Sequence, residues 1–380
     1  MSRCEVDVVV IGGGITGVAS AFYLVRAGKR VVLLEKGVIG GEASGRNGGH
    51  LSPTIDAAWG PFGLMAYELW PALVEELGPA TEYRRSGGVY VIMGDEPIEP
   101  TQIREFRRKH GYTAEELSPE ECRKLIPGLR ADVKGGLFSP KSAHINPIVT
   151  MKLLARAAVR TGVEIREHCA ATAIRTRAGV IEGVETDCGR IDAPFVVDAA
   201  GPWAASVGKM VDVQIPVDPR RIQILLSEAI PPLYSHIWAG NSMYARQALS
   251  GQLHFGAMGP AWETGGWSID RSVTLPTMQR IAGRMVELVP GLGEVRVLRS
   301  WAGVLAVSTD GVPIVGMCRE PHGFVIGTGF GGNGFVTGPA VGRIITDLIC
   351  TGAFSHHNLD LRRVSPARFT GHTARSSGTG

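Results

Sequence analysis

The apolar and polar residues near the N-terminus follow a strand, helix and strand pattern. Val6–Ile11 is a short run of mostly β-branched residues, interrupted only by Asp7, and is typical of a strand buried in a parallel sheet. Ile15–Ala27 has the length and apolar content of a helix that ends at Gly28, and Val31–Leu34 is a second apolar run. The three segments together have the length of one strand–helix–strand unit. The pattern therefore predicts a βαβ motif.

The rest of the chain contains further helical and strand-like segments. Pro147–Thr161 and Pro339–Ile349 have the apolar spacing of helices, each with proline in its first turn. Phe195–Val197 and Phe324–Gly327 are short apolar runs that predict further buried strands. From about residue 215 to 300 the runs are longer and alternate between apolar and polar positions, which favours an antiparallel sheet with one covered face. The whole pattern predicts an α/β protein.

Composition excludes several classes of protein and leaves one unusual feature, the glycine content. Of 380 residues, 44% are hydrophobic and 20% are charged, which excludes a disordered, collagen-like or coiled-coil chain. The formal charge, 39 − 36 = +3, is too small to indicate nucleic acid or an anionic membrane as a partner. Glycine makes up 51 residues, and 19 of them fall within positions 12–49 and 323–342. Such clusters indicate that the backbone approaches a ligand closely or adopts positive φ.

The cysteine pattern and the lengths of the apolar runs indicate the cellular location and whether a metal site or a membrane span is expected. The six cysteines are scattered and form no CxxC pair, so the sequence predicts reduced thiols, no metal site and a cytoplasmic location. The apolar stretch Val6–Leu24 contains Asp7 and three consecutive glycines, which argues against a signal peptide or a membrane span. No other stretch of the sequence has the length of a membrane span.

A glycine motif marks the turn between the first predicted strand and the first helix. Gly12-x-Gly14-x-x-Gly17 stands there, and Glu35 follows the next strand. A GxGxxG motif alone is weak evidence, but this strand–turn–helix context with a terminal acid indicates a dinucleotide site. Gly12 permits the tight turn, Gly14 lets a pyrophosphate approach the backbone, and Gly17 allows close helix–strand packing. The helix N-terminus attracts the phosphates, and Glu35 is expected to accept hydrogen bonds from ribose hydroxyls.

Two further glycine-rich loops bear on the choice between NAD and FAD. Ser44–Gly49 follows the βαβ unit, and Gly327–Phe335 precedes the C-terminal helix, as if both loops closed over one long ligand. Three further sequence motifs are Asp198–Trp203, Arg299–Gly303 and Thr309–Gly316. In order and spacing these motifs resemble the family of FAD-dependent amine and amino-acid oxidoreductases, which includes glycine oxidase, sarcosine oxidase and D-amino acid dehydrogenase. The Ser44–Gly49 loop is most similar to γ-glutamylputrescine oxidoreductase and to the β subunits of heteromeric opine, proline or sarcosine oxidoreductases.

The resemblance implies FAD as the cofactor and assigns the residues that would bind it. The loop at 44–49 would border the isoalloxazine ring, and the loop at 327–335 would direct the positive end of a helix dipole at the flavin. The residues expected to contact FAD are Gly12, Gly14, Ile15, Thr16, Gly17, Glu35, Lys36, Ser44, Gly45, Arg46, Asn47, Gly48, Gly49, Ala171, Gly201, Trp203, Gly303, Gly329, Gly331, Gly332, Asn333, Gly334 and Phe335.

The chain departs from the family pattern where the substrate carboxylate would bind. In glycine-oxidase-like relatives an arginine follows the Trp-x-Gly segment, whereas this chain has Val304–Ala306 at those positions. Either the substrate carries no carboxylate there or another arginine binds it in a bidentate manner. Arg246, near Tyr244 on a predicted strand, is the first candidate, although a surface role is equally compatible with the sequence. Arg221 and Arg299 are weaker candidates.

Histidines stand beside the predicted flavin site. His254 takes the place of the lysine that promotes reaction with oxygen in monomeric sarcosine oxidases, so it is either a protonated substitute or an ordinary strand residue. His50 follows the glycine loop and either faces the flavin or belongs to a turn. Arg246, His254, Tyr244 and His50 are therefore the candidate catalytic residues. His144 lies near the position at which some β subunits attach a second flavin, FMN.

These inferences predict an α/β fold with two interleaved domains. A Rossmann-like FAD-binding domain with a parallel sheet would comprise residues 1–82, 142–214 and 301–366. A substrate domain, built on a mostly antiparallel sheet with flanking helices, would comprise residues 83–141 and 215–300, and residues 367–380 would form a flexible tail.

The expected activity is oxidation of the C–N bond of a small amine or amino acid by hydride transfer to flavin N5, giving an imine that hydrolyses. The electrons would pass to oxygen, with formation of H2O2, or to another acceptor. Two other hypotheses stay open: the catalytic β subunit of a heteromeric opine, proline or sarcosine dehydrogenase, with partner subunits, and a non-catalytic flavin-binding protein. A dehydrogenase that uses only a nicotinamide cofactor agrees least with the glycine loops.

Overall fold

The computed structural model describes residues 4–52, 60–94, 114–257, 263–264, 269–354 and 359–369. The α-helices of these residues are α1 (Ile15–Arg26), α2 (Gly60–Leu77), α3 (Pro119–Leu125), α4 (Pro147–Thr161), α5 (Ala204–Gly208), α6 (Leu275–Leu288) and α7 (Gly334–Thr351). Short 3-10 helices lie at Pro79–Thr81, Gly201–Trp203, Lys209–Val211, Pro290–Glu294, Gly331–Asn333, Leu361–Arg363 and Pro366–Phe369.

The N-terminal βαβ unit lies in a six-stranded, mostly parallel sheet. Its strands are β2 (Val8–Ile11), β3 (Val31–Leu34), β9 (Glu164–Arg166), β13 (Phe195–Asp198), β20 (Ile314–Met317) and β21 (Phe324–Thr328). The order is β20-β21-β13-β2-β3-β9, and β20 is the antiparallel member. Val8 and Val10 belong to the core on one face and Val9 to the core on the other, so apolar residues are needed at consecutive positions.

Two small sheets accompany the parallel sheet. The first contains β1 (Cys4–Glu5), β10 (Ala171–Arg177), β11 (Val180–Thr186) and β12 (Gly189–Asp192), in the order β1-β12-β11-β10. The second pairs β4 (His50–Leu51) with β8 (Ala143–His144) in antiparallel fashion. This short pairing places two histidines opposite each other directly after the first glycine-rich segment.

A nine-stranded sheet forms the other half of the molecule. Its strands are β5 (Gly88–Ile92), β6 (Glu115–Leu117), β7 (Gly135–Ser139), β14 (Val217–Ala229), β15 (Ile237–Gly240), β16 (Met243–Gln247), β17 (Gln252–Ala257), β18 (Glu263–Thr264) and β19 (Val297–Ser308). All pairings are antiparallel except that of β15 with β5, as expected from the alternating pattern. β19 crosses the domain boundary predicted at residue 301, because it pairs with β14 on both sides of that residue.

Most of the predicted elements agree with the structure, and α4 has the predicted bounds. The prediction that the last helix begins at Pro339 is wrong, since α7 begins at Gly334. Packing outweighs the local preference of proline here: Phe335 stacks on Trp70, whose indole N–H donates to the Val336 carbonyl at 2.8 Å. Residues 367–369, expected in a flexible tail, belong to a 3-10 helix instead, and the rest of that predicted segment, residues 370–380, lies outside the described ranges.

Within the described ranges, no helix combines the length and the apolar character that crossing a membrane requires.

Helices α1 and α7 are in unusually close contact, and two glycines on α7 allow it. A Cβ atom at Gly338 would lie 2.7 Å from the Ile15 side chain. At Gly342 it would lie 2.8 Å from the backbone carbon of Ala19, where the neighbouring atoms belong to a rigid helix. The spacing of four residues puts both glycines on one face of α7. The contact holds the N-termini of the two helices at a defined separation.

Replacing Gly342 with alanine tests this contact. We expect Gly342→Ala to lower the free energy of unfolding by about 1–3 kcal/mol, because the methyl group overpacks a backbone contact. Gly283→Ala on α6 is the matched control, since a Cβ atom there meets nothing within 4 Å. Alanine favours a helix, so the control should be neutral or stabilising by up to about 1 kcal/mol. Denaturant unfolding measures both; equal effects of the two substitutions would contradict the packing argument.

The carboxyl end of β13 carries a fully buried acid, Asp198. One of its oxygens accepts from the Ala200 N–H at 3.1 Å, and the other has no hydrogen-bond partner among the described residues. Burial raises the pKa of Asp198 from its ordinary value of 3.8 to about 8. At neutral pH the folded protein therefore keeps a proton that this side chain has lost in the unfolded chain, where water solvates it.

A pH dependence of stability follows from Asp198. Because the folded state binds the extra proton, this residue makes the free energy of unfolding fall as the pH rises from about 4 to about 8. Asp198→Asn should remove that fall, so the variant should gain stability relative to the parent as the pH rises through this range. Thermal unfolding across this pH range measures the effect. Glu115→Gln, at an exposed strand position, is the control, and a parallel response in both variants would refute the assignment.

Candidate cofactor and substrate site

A cleft runs along the carboxyl ends of the parallel strands. Its floor includes residues at the ends of β2, β3 and β13, namely Ile11, Leu34 and Ala199. In open α/β sheets this edge is the usual place for ligands. The cleft contains about 1330 Å³ of empty space, part of it open to solvent.

Glu35 is held at one end of the cleft by the backbone around it. Its two carboxylate oxygens accept from the N–H groups of Gly13 and Gly37, each at 2.7 Å. A carboxylate has about four acceptor positions, so both oxygens keep capacity for further hydroxyl donors. Nearby, the Lys36 ammonium lies 3.4 Å from the centroid of the Trp203 ring. The two side chains form a wall of this end of the cleft through a cation–π contact.

The N-terminus of α1 lies in the middle of the cleft. Gly14 occupies the N-cap position, and the Ser44 hydroxyl, from a different loop, accepts from the Ile15 N–H at 2.9 Å. A Cβ atom at Gly14 would lie 3.2 Å from this hydroxyl oxygen, so a side chain there would crowd the cap. The remaining free N–H groups and the positive end of the helix dipole favour a negatively charged ligand such as a phosphate.

The glycine-rich loop at 44–49 is fixed by its own polar side chains. The Asn47 side chain donates to the Ser44 carbonyl and accepts from the Gly49 N–H, both at 2.8 Å. Arg46 donates to the Ala302 carbonyl at 3.1 Å, and the Trp301 indole N–H donates to the Arg46 carbonyl at 3.0 Å. One hydrogen bond comes from a side chain of the loop and the other from a side chain of strand β19, and together they fix the loop to the strand.

The second glycine-rich segment closes the opposite side of the cleft. The 3-10 helix Gly331–Asn333 leads directly into α7, and Gly334 and Phe335 border the cleft. Because α7 begins here rather than five residues later, the positive end of its dipole lies at the cleft wall. The Phe335 ring is fixed by stacking on the buried Trp70, with ring centroids 5.6 Å apart.

These features fit an elongated dinucleotide. A carboxylate with spare acceptor capacity stands at one end, a glycine-lined helix N-terminus in the middle, and a second helix N-terminus on the far side. The order agrees with a ribose, a pyrophosphate and a second ring system along one ligand. The residues therefore fit FAD.

The structure separates the predicted cofactor residues into two groups. Those that line the cleft are Gly12, Gly14, Ile15, Thr16, Glu35, Lys36, Ser44, Asn47, Ala171, Gly201, Trp203, Gly331, Gly332, Gly334 and Phe335. Those predicted to bind the cofactor but absent from the lining are Gly17, Gly45, Arg46, Gly48, Gly49, Gly303, Gly329 and Asn333.

Close packing explains several members of the second group. A Cβ atom at Gly17 would lie 1.9 Å from the Gly12 carbonyl oxygen, and one at Gly45 would lie 2.2 Å from that of Gly40. Gly303 lies against Arg46, which is itself engaged with backbone carbonyls. These residues support the cleft walls by close packing and do not themselves line the open space.

Sequence reasoning missed other residues of the lining. Cys169 and Ala170 precede the predicted Ala171, and Glu42 and Ala43 precede the predicted Ser44. Val304–Ala306, where the resemblance led us to expect an arginine, also lines the cleft. The neighbouring motifs were the available signal, but only the packed structure shows how far each wall extends.

The four candidate catalytic residues lie together, in what we call the arginine–histidine cluster: Arg246, His254, Tyr244, His50 and, in addition, His144. Arg246 on β16 pairs with His254 on β17, and His50 on β4 pairs with His144 on β8. The His50 ring packs edge-on against Tyr244 at 4.7 Å between centroids. The Arg246 Nε–H donates to the carbonyl of Gly48, which joins the cluster to the cofactor loop.

The cluster contains one cation and three neutral imidazoles. Burial lowers the pKa of Arg246 to about 10, so the guanidinium, only 3% exposed, stays charged at neutral pH. Burial and then the charge of Arg246 lower the pKa of His144 and of His254 to about 3 each. The same two causes lower the pKa of His50. Desolvation and the charge of Arg246 therefore both disfavour the protonated form of His254 that the sequence left open.

Several polar atoms of the cluster lack partners. Within the described ranges, the Nε2 atom of His50 and the Nδ1 atom of His254 are buried and make no hydrogen bond. Among these residues Arg246 forms no ion pair, and its only hydrogen bond is the one from Nε, which leaves both terminal nitrogens available as donors. The weaker candidates differ: Arg221 is engaged by Asp270 at 2.7 Å, and Arg299 is exposed.

Comparison with known proteins agrees with this geometry. The β subunit of sarcosine oxidase from Rhizobium meliloti is 29% identical over 91% of this chain and 85% of its own length. Glycine oxidase from Pseudomonas aeruginosa is 27% identical over 90% of this chain and 94% of its own.

Solved structures show the same architecture. Glycine oxidase from Geobacillus kaustophilus superposes with a TM-score of 0.88 at 26% identity, covering 96% of this chain and 99% of that one. L-proline dehydrogenase from P. horikoshii gives a TM-score of 0.90 at 26% identity, covering 97% and 99%. The family described as FAD dependent oxidoreductase (DAO) matches residues 7–348. The chain therefore belongs to this family of FAD-dependent oxidoreductases.

Proposed function

We propose that this FAD-dependent oxidoreductase oxidises the C–N bond of a small amino acid or amine that carries a carboxylate. The observation that carries the proposal is Arg246, a buried cation next to the cofactor loop whose terminal nitrogens have no partner among the described residues. The names of the relatives, a sarcosine oxidase subunit and glycine oxidases, support a substrate of this size and charge.

Arg246 has the chemistry of a carboxylate-binding group. A guanidinium with two free terminal nitrogens forms a planar fork that matches the two oxygens of a carboxylate. The surrounding imidazoles are neutral, so no neighbouring histidine competes as a charged donor. Among the described residues Arg246 has no ion pair in direct contact, although the charge of Glu82 favours its protonated form. A substrate carboxylate would add a counter-charge in contact with the guanidinium, which offsets the cost of burying the cation.

The cluster also positions the substrate relative to the cofactor. The Gly48 carbonyl accepts from Arg246, and Tyr244 packs so closely on Gly48 that a Cβ atom there would lie 2.5 Å from the tyrosine ring. A carboxylate bound at Arg246 is thus held at the loop that borders the predicted isoalloxazine position. Binding in this way supplies orientation, which is the main requirement of such a reaction.

The oxidation itself uses the cofactor, and FAD supplies the acceptor for two electrons from the substrate C–N unit. The chain's own residues bind the carboxylate and orient the carbon that loses hydrogen. His50 and His254 stay neutral, and their ring nitrogens without partners are available as uncharged hydrogen-bonding groups. The resulting imine reacts with water to give a carbonyl compound and an amine or ammonia. FAD bound in the cleft would supply the route for these electrons to oxygen, with formation of H2O2, or to another acceptor.

A second candidate function is that of the flavin subunit of a heteromeric dehydrogenase. The neutral state of His254 favours it, because the positive charge that promotes reaction with oxygen in some relatives is not available from this residue. The relative named as a sarcosine oxidase β subunit points in the same direction. The cytoplasmic location predicted from the scattered cysteines stays a prediction.

Reduction of the bound flavin tests the reaction. Protein saturated with FAD should lose its visible flavin absorbance anaerobically on addition of glycine, sarcosine or L-proline, because these substrates carry both an amine and a carboxylate. An amine of similar size without a carboxylate serves as the control. Rapid return of the colour in air, with H2O2, identifies an oxidase, and slow return identifies a dehydrogenase or subunit. Absence of bleaching by every amino acid and amine tried would refute the proposed activity.

Substitution of Arg246 tests the carboxylate site. We expect Arg246→Met to weaken binding of the amino-acid substrate by about 30-fold or more, since loss of a buried charge pair is worth about 2–5 kcal/mol. Arg246→Lys should restore part of the binding through its charge but not the bidentate geometry. Arg299→Met, at an exposed position, is the control. FAD affinity is measured in each variant; an unchanged substrate affinity with FAD still bound would remove Arg246 from the site.

A further inference from the structure

A second group of ligand-forming side chains lies at the edge of the four-stranded sheet: Cys169, Asp187 and Cys188. Cys169 precedes β10 and borders the cofactor cleft, whereas the other two form the turn between β11 and β12. The two sulfur atoms and one carboxylate oxygen all lie within 4.8 Å of one another. Strand pairing brings together two cysteines that the sequence places far apart.

The backbone holds the three residues in this arrangement. The Ala170 N–H donates to the Asp187 carboxylate at 2.9 Å, and the Asp187 N–H donates to the Ala170 carbonyl at 3.2 Å. The Cys188 N–H donates to the Thr186 hydroxyl at 3.0 Å, and the Cys169 N–H donates to the Glu35 carbonyl at 2.9 Å. Main-chain contacts therefore direct the three side chains toward a common point, which is the condition for a preorganised ligand set.

The distances suit a tetrahedral cation. With metal–sulfur bonds of about 2.3 Å and metal–oxygen bonds of about 2.1 Å, the sulfur–oxygen edge is about 3.6 Å and the sulfur–sulfur edge about 3.8 Å. The Cys188 sulfur lies 3.3 Å from the Asp187 carboxylate oxygen, and the third atom is within 4.8 Å of both. Only shifts of less than about 1 Å are needed to reach this geometry.

We propose that Cys169, Asp187 and Cys188 bind a thiophilic divalent cation of the Zn²⁺ type, with two sulfur ligands, one carboxylate oxygen and a water molecule at the fourth position. Asp187 and Cys188 are exposed, so solvent reaches the fourth position. Binding releases the protons of the two thiols, and no oxidation or reduction takes place.

The local chemistry favours a cation over a disulfide. Both cysteines are free, although their sulfur atoms lie within 4.8 Å of each other. The Asp187 carboxylate adds a hard oxygen ligand and a negative charge, which a disulfide does not use.

Cadmium titration tests the site, since Cd²⁺ binds the ligands of Zn²⁺ and its bonds to thiolates absorb in the ultraviolet. The protein is used with FAD bound, after reduction with a phosphine and removal of metals with a chelator. Difference spectra should show saturation at one Cd²⁺ per chain, and Zn²⁺ should compete. Cys188→Ser should lower the affinity at least tenfold and reduce the thiolate absorption at saturation to about half, because one of the two sulfur ligands is lost. Asp187→Ala should lower the affinity while the thiolate absorption at saturation is kept.

The matched control is Cys350→Ser, since Cys350 is also an exposed, free cysteine but belongs to no group of three possible metal ligands among the described residues. This substitution should leave both the affinity and the absorption unchanged. Three results would overturn the proposal: no saturable thiolate absorption in the parent protein, equal losses in the Cys188 and Cys350 variants, or mass spectrometry of the unreduced protein that finds Cys169 and Cys188 joined as a disulfide.

Discussion

The contact between α1 and α7 determines how far apart two helix N-termini lie, and the cofactor cleft depends on this distance. Glycine at 338 and 342 lets the backbones approach until a single methyl group would not fit against Ala19. One N-terminus then lies at the middle of the cleft and the other at its far wall. Both direct positive dipole ends at the same space, which suits a ligand with a pyrophosphate and an electron-accepting ring.

The loop at 44–49 joins the cofactor cleft to the arginine–histidine cluster. On one side, Ser44 caps α1. On the other, the Gly48 carbonyl binds Arg246 from the nine-stranded sheet. A cofactor that orders this loop therefore also positions the cation proposed to bind substrate. Because this loop contacts both the cofactor cleft and Arg246, a substitution of Arg246 is expected to weaken substrate binding directly and FAD binding only indirectly, through the loop.

Much of the fold was predictable, because buried parallel strands and amphipathic helices leave direct patterns in a sequence. α4 has its predicted bounds, and the βαβ unit with Glu35 stands as the motif indicates. The start of α7 was not predictable from local rules, since the stacking of Phe335 on Trp70 outweighs the preference of Pro339 for a first turn. The glycine motifs located the cleft, but they did not distinguish residues that line it, such as Gly14, from those that support it, such as Gly17.

By itself, the sequence determined where the backbone has to pass close to a ligand, because only glycine permits such an approach and its positions are visible directly. Charge states and neighbours across long separations were decided by the tertiary structure. Burial beside Arg246 makes His254 a neutral group, although its sequence context is compatible with either form. Likewise, pairing of β10 with β11 brings Cys169 to Cys188, where spacing alone indicated no metal site. The charge state of His254 depends on desolvation, and the proximity of the two cysteines depends on distances through space. Neither quantity can be read from the spacing of residues along the chain.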